Sequence, residues 1–338
     1  MSERHRTKFL TLAAVVLLSG LGGVMDIRNQ TTTGYLTDGN NKVIQVTPGG
    51  PAESAGLQVD DMITVIGGIG VEDTKAQIAR PRAAIGEVRT HEVMRNGTAV
   101  SVDVTYAALE GTPRLLAYLG TVVGLCFLLF GLWAYLRGPT PPTTLLAILG
   151  LTFGLAFLGT PYFESLTIRN LVSAVVVTTV LLGFAVLLHF LLAFPSRRPF
   201  LEKPSATKIL YGPAILVAVL LIWVNFFQPN ATSTLNLFFR IVIGLFFVGY
   251  LGLSLLTFLR SYASASTEAR ASSGLNLMLV GTVLGLGPSV VSGVIGLVSP
   301  STILPGSQYY FLLLGLLPIT FALATTKAQS IGGTASAP

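Results

Sequence analysis

The chain has 338 residues, of which 51% are hydrophobic and 11% charged, and its formal net charge is +6. Soluble domains run nearer 25% charged, so this composition excludes a simple soluble protein and belongs to a chain with several membrane spans. Residues 26–113 carry 7 Lys/Arg against 11 Asp/Glu, whereas the remainder carries 14 against 4. An acidic segment set among basic apolar ones argues against nucleic acid as a partner.

Arg4, His5, Arg6 and Lys8 precede an apolar run over 9–25. The run is read as a short membrane anchor (1–25) or as a signal peptide with a small-residue site at Gly20-Leu21-Gly22. Gly rather than Ala at both key positions favours the uncleaved anchor.

The segment 30–107 carries the specific local signals. Val43, Ile44 and Val46 read as a strand that Pro48-Gly49-Gly50 ends. Pro51 suits the first position of a short helix, Gly56 its left-handed cap, and Leu57 folds back onto that turn. Asp60-Asp61 turns the chain into a second strand over 62–66. A helix from about Asp73 follows, which Pro81 should kink or end. Strands over 88–94 and 99–105 are joined by Arg95-Asn96-Gly97-Thr98, a hairpin signal, with Val100, Val102 and Val104 on one face.

This order of parts resembles a PDZ domain of the bacterial type over residues 34–106. Asp60 stands where the family more often has Gly, and Asp tolerates the left-handed region better than most residues. The resemblance implies a peptide-binding module. Gly34-Tyr35-Leu36-Thr37 then falls at the family's carboxylate-binding loop, before the strand that pairs with the ligand, and Ile78 falls on the groove's helix. The same four residues read equally as an ordinary turn entering a strand, and Asp38 beside them would repel a carboxylate.

Seven further apolar segments cover 115–136, 144–159, 171–194, 209–227, 237–259, 275–298 and 309–324, forming a module over 114–326 with a short tail over 327–338. One set of segment ends holds Arg4, Arg6, Lys8, Arg137, Arg197, Arg198, Lys203, Lys208, Arg260, Arg270 and Lys327. With residues 26–113 set aside, the opposite set holds only Arg114, Arg169 and Arg240. The asymmetry assigns the first set to the cytoplasm, with both termini inside and the PDZ-like domain outside a bacterial inner membrane.

His189, about 9 Å below Pro195 at the usual helical rise, is an ionisable group within a span. It reads either as a signalling group or as a neutral imidazole bonded to a neighbouring helix. Arg197, Arg198, Lys203 and Lys208 make the most basic loop, suited to anionic membrane lipid or to a cytoplasmic protein partner. Gly120/Gly124, Gly150/Gly154 and Gly281/Gly285 are small-residue pairs for close helix packing or dimerisation, and Pro213, Pro288 and Pro318 lie within spans.

The string LLHFLLAFPSRRP and the later LLPITFALATTKAQ are similar to motifs in the input modules of quorum-sensing and competence sensor histidine kinases, in which an outer PDZ-like domain can precede several spans. The 338 residues contain no phosphoacceptor helix or ATP-binding domain, so kinase activity is not expected.

No Asp or Glu lies deep in a span, as ion-coupled transport needs. No HExxH string and no Ser-His or paired-Asp arrangement appears, and the single Cys126 allows no metal cluster. The expected fold class is a multi-domain membrane protein: a small, mainly β, α/β PDZ-like domain, an all-α seven-helix bundle and an N-terminal anchor helix. Neither enzyme activity nor a cofactor or metal is expected. The expected function is a membrane sensor or adaptor binding a peptide or protein C-terminus or strand. A PDZ-regulated small-molecule or lipid transporter and a structural subunit of a membrane complex are the alternatives.

Overall fold

A computed structural model of the chain describes residues 3–227, 233–299, 302 and 304–334. Helix makes up 68% of it, around one small sheet-rich region near the N-terminus, which is the expected class. Helix α1 (Glu3–Asp26) leads into strands β1 (Thr31–Thr32), β2 (Tyr35–Thr37) and β3 (Val43–Val46). The short helix α2 (Pro51–Ser54), strands β4 (Met62–Ile66) and β5 (Ile69–Gly70), and helix α3 (Thr74–Ala79) follow. Strands β6 (Val88–Arg95), β7 (Thr98–Thr105) and β8 (Ala107–Ala108) complete the domain.

Each turn takes the conformation its residues favour. Pro51 opens α2, and Gly56 sits at φ 87° while the Leu57 N–H returns to the Ala52 carbonyl. Asp60 adopts φ 74°, the left-handed conformation expected of it. Asn96 and Gly97, both at positive φ, close the β6–β7 hairpin with Arg95 opposite Thr98. The strands order as β5-β4-β6-β7, with β2-β3 and β1-β8 as separate pairs. Val43, Ala52, Leu57, Ile63, Val93, Val102 and Val104 form the buried core, with Val100 packed against it. Asp61, 1% exposed, is chelated by Arg95 at 2.7 Å on both oxygens and accepts from the Gln58 N–H, which holds its carboxyl below the usual carboxylate range.

The bundle is α4 (Gly111–Arg137), α5 (Pro141–Leu158), α6 (Leu166–Ala193), α7 (Ala206–Phe227), α8 (Ser233–Ser264), the short α9 (Thr267–Ser272), α10 (Leu275–Val298), α11 (Tyr310–Leu313) and α12 (Leu316–Thr334). With α1, eight segments among the described residues are long and apolar enough to cross a membrane, α11 and α12 counting together. The small-residue pairs serve packing inside the bundle. A Cβ on Gly150 would sit 2.5 Å from the Phe127 carbonyl, one on Gly124 2.7 Å from the Leu158 nitrogen, and one on Gly281 2.0 Å from Thr320 Oγ1. Those contacts bring α4 onto α5 and α10 onto α12.

Pro318 lies within the last candidate span, Ser307–Gln329, in the first turn of α12, where its missing N–H costs nothing. Helix α12 runs on past that span to Thr334; residues 335–338 lie outside the described ones.

Helix α1 packs on α4 and α5, burying Ala13 and Val16 against Leu128 and Leu158. Gly20 and Gly23 lie where a Cβ would meet Leu158 Cβ at 2.7 Å and the Leu158 carbonyl at 2.8 Å. The β1–β8 pair ties the chain entering the domain to the chain leaving it, and Leu109 N–H bonds the Gln30 carbonyl at 2.9 Å. The domain therefore stands at one end of the bundle. The 194–205 link and the end of α12 are at the other, where Gln329 Nε2 donates to the Gly138 carbonyl at 2.8 Å.

Candidate functional site

Strand β2 pairs with β3 alone, which leaves its second edge unpaired among the described residues. Such an edge accepts another strand by β-addition. Gly34 enters β2 at φ 76°, and a Cβ there would meet Pro51 Cδ at 3.0 Å, so the turn requires glycine. The loop is tied down by Ala52 N–H to the Thr33 carbonyl at 2.9 Å and Thr47 N–H to the Gly34 carbonyl at 2.8 Å. The Gly34 N–H already donates to Thr32 Oγ1 at 3.1 Å, so a ligand carboxylate would have to displace that hydroxyl. Asp38, expected to repel a carboxylate, is instead engaged in its own hairpin, accepting from the N–H groups of Asn40 (2.8 Å) and Lys42 (3.0 Å). Leu36 is 52% exposed and Thr37 is exposed, while Tyr35 is half-buried.

Tyr35 joins this strand to the main sheet. Its hydroxyl lies 3.1 Å from Nε2 of His91, a fully buried residue of β6, and the rings meet edge to face. His91 Nδ1 lies 2.9 Å from the Arg89 carbonyl, which only accepts, so Nδ1 carries the proton and Nε2 accepts from Tyr35. Burial pushes the Tyr35 phenol up to about 12 and the His91 imidazole below its ordinary value. The positive charges of Arg80 and Arg89 lower His91 further. Both groups are neutral at neutral pH.

Helix α3 starts at Asp73, whose carboxylate accepts from the Ala76 N–H at 3.0 Å. It ends at Ala79, because Arg80 before Pro81 is extended (ψ 136°), so the proline terminates the helix rather than kinking it. Gln77 Nε2 fixes α3 to the Ile69 carbonyl at 2.9 Å. Ile78 is half-buried on α3 and lies outside the domain's core cluster.

The last carbonyls of α3 find donors in the bundle. Arg169, in the first turn of α6, donates to the Ala79 and Arg80 carbonyls, both at 3.2 Å, and to the Tyr162 hydroxyl at 3.3 Å. The Arg82 N–H also donates to that hydroxyl, at 2.9 Å. Its guanidinium forks onto Asp26 at the end of α1 at 2.7 and 2.8 Å, which raises its already high pKa. Arg82 and Arg169 both lie against the Tyr162 ring, at 4.5 and 5.5 Å from its centroid. Two helices and one loop of the bundle thus meet the segment just after α3.

These residues carry no sequence motif. The available signal was Arg169 itself, one of three exceptions to the charge asymmetry, together with the Arg-Pro-Arg at 80–82.

The remaining expected residues lie elsewhere. His189 Nδ1 is 3.0 Å from the Tyr211 hydroxyl of α7, which is the helix-to-helix bond of the plainer reading. Pro195 is exposed past the end of α6. Arg198 donates to Ser261 Oγ at 2.7 Å and Arg197 to the Leu201 carbonyl at 3.2 Å, while Lys203 and Lys208 are exposed. None of the four is in an ion pair among the described residues. Among the described residues no group of three or more His, Cys, Asp or Glu is placed to hold a metal ion.

The fold and this edge define the class: a membrane protein with a peptide-binding type of domain at one end of a helical bundle. A family model described as PDZ domain matches residues 42–80, which run from the start of β3 through α3. No curated protein matches the chain.

Proposed function

We propose that the chain is a non-enzymatic sensor or adaptor of a bacterial inner membrane. Its PDZ domain, on the extracytoplasmic face, takes a peptide end or a strand of another protein along β2. The helical module carries occupancy inward or holds a protein partner there, an order of parts similar to sensor-kinase input modules.

One observation carries this reading: Arg169 of α6 bonds the last carbonyls of α3, the helix that the PDZ resemblance makes a wall of the peptide groove. A ligand that shifts α3 must bend or break those bonds, so binding and the position of α6 share one free energy. Eleven basic residues against three support the sidedness. Close packing of Gly20 and Gly23 on α5 supports α1 as a retained anchor.

The test is binding of a library of peptides with free C-termini to the full chain in nanodiscs, followed by fluorescence anisotropy. Selected peptides should lose at least tenfold in affinity to Leu36→Glu and change affinity with Arg169→Ala. Absence of binding by any peptide, free or amidated, contradicts the reading.

A further inference from the structure

Helices α7 and α8 both pack along α6 yet barely touch each other. The space between them is a groove of about 600 Å³ that opens on the outside of the bundle, where Ile209, Leu245 and Leu253 are exposed. Leu188 and Leu192 of α6 line it, with Ile209 and Val217 of α7 and Leu245 and Leu253 of α8 among its walls. Its one ionisable hydroxyl is already used, because Tyr250 donates to the Leu210 carbonyl at 2.6 Å. The groove is apolar along its length and lies in the half of the bundle away from the PDZ domain.

Its mouth is basic. Phe200, in the link between α6 and α7, and Thr257 of α8 mark that end. Arg198 reaches Ser261, one helical turn beyond Thr257, which places its guanidinium at the opening. Lys208 adjoins the lining residue Ile209 and is exposed, as are Lys203 and Arg197; Glu202 is the lone acid of the link. None of these cations is in an ion pair among the described residues.

We infer that this groove is a binding site for one acyl chain of an anionic phospholipid, with the phosphate held at the Arg198–Lys203–Lys208 mouth. Three observations select that occupant. From Ile209 to Val217 the α7 wall is about 12 Å long at the helical rise, and one leaflet's hydrocarbon is about 15 Å deep. A groove of about 600 Å³ between the α7 and α8 walls has room for a single slender acyl chain along its length. Unpaired cations at the mouth complement a phosphate and give no reason to favour a zwitterionic headgroup. The inference rests on the helices spanning a bilayer and is independent of what the PDZ domain binds.

The experiment uses the full chain in nanodiscs containing photoreactive phosphatidylglycerol or phosphatidylcholine, each with a mid-chain diazirine at equal mole fraction. Crosslinks are mapped by mass spectrometry. Phosphatidylglycerol should label Leu245, Leu253 and Ile209 at least fivefold more than phosphatidylcholine does. Gly249→Leu should abolish that excess by filling the groove, since no atom lies within 4 Å of a Cβ there and leucine suits a helix better than glycine. Lys203→Gln with Lys208→Gln should lower phosphatidylglycerol labelling to the phosphatidylcholine level, which itself stays unchanged. Equal labelling by the two lipids in the unmodified chain, or labelling indifferent to Gly249→Leu, reduces the groove to ordinary lipid contact and overturns the proposal. Protein–protein crosslinks in place of lipid crosslinks at these residues show that a second copy covers the groove, and overturn it as well.

Discussion

The PDZ domain and the helical bundle are held together by different means. The domain depends on directional groups: a buried carboxylate chelated by arginine, a histidine–tyrosine bond, and turns at positive φ. The bundle depends on nearness, with glycines letting α4 reach α5 and α10 reach α12, and few side-chain bonds between helices. In water, unpaired polar groups can always be solvated, so a small domain specifies itself by burying a few of them correctly. In hydrocarbon the apolar effect no longer drives helices together, so close contact decides. The joint at Asp26, Arg82, Tyr162 and Arg169 is where the two regimes meet.

The contrast is tested most severely by one pair of substitutions. Leu57→Asp places a charge in the domain core, 3% exposed, at a cost on the order of 5 kcal/mol, comparable with a small domain's whole stability. Limited proteolysis should show the segment 42–105 losing protection while the helices still insert. Gly150→Leu should do the reverse. Its Cβ meets a backbone carbonyl that cannot yield, so α4 and α5 separate at a cost of about 1–3 kcal/mol or more. The bundle's thermal transition should fall while the domain stays protected. Loss of both regions in either variant would break the comparison.

A smaller effect sharpens it. His91 has its folded pKa lowered from 6.5 by burial, so the unfolded chain binds its proton more readily. The stability this group contributes is fully present above about pH 6.5 and is lost as the pH falls toward the folded value. Pulse proteolysis should show the domain weakening over that range, with the slope reduced in His91→Gln and the bundle unaffected. A slope unchanged by His91→Gln contradicts the assignment of His91 as the responsible group.

Much of the domain was legible because its signals are local. Pro51, Gly56, Asp60 and Asn96-Gly97 each dictate a backbone conformation without reference to the rest of the chain. The spans were legible for the same reason, through runs of apolar residues. The joint was not, since Arg169 and Ala79 are far apart in sequence and guanidinium-to-carbonyl bonds leave no pattern. His91 was equally silent, because a histidine in an alternating strand does not reveal that its partner is Tyr35. The break in the last span was not legible, because hydropathy runs on between Leu313 and Leu316, where backbone geometry restarts the helix.

The central claim is that the domain is fixed to the bundle through Arg82 and Arg169. Spin labels at Ser101→Cys and Ser196→Cys, both exposed and at opposite ends of the molecule, report on it directly in a Cys126→Ser background. Double electron–electron resonance in nanodiscs should give one narrow distance distribution, which broadens when Arg82→Ala and Arg169→Ala are combined. A distribution already broad in the parent chain, or one the two substitutions leave unchanged, would show that the domain moves independently of the helices.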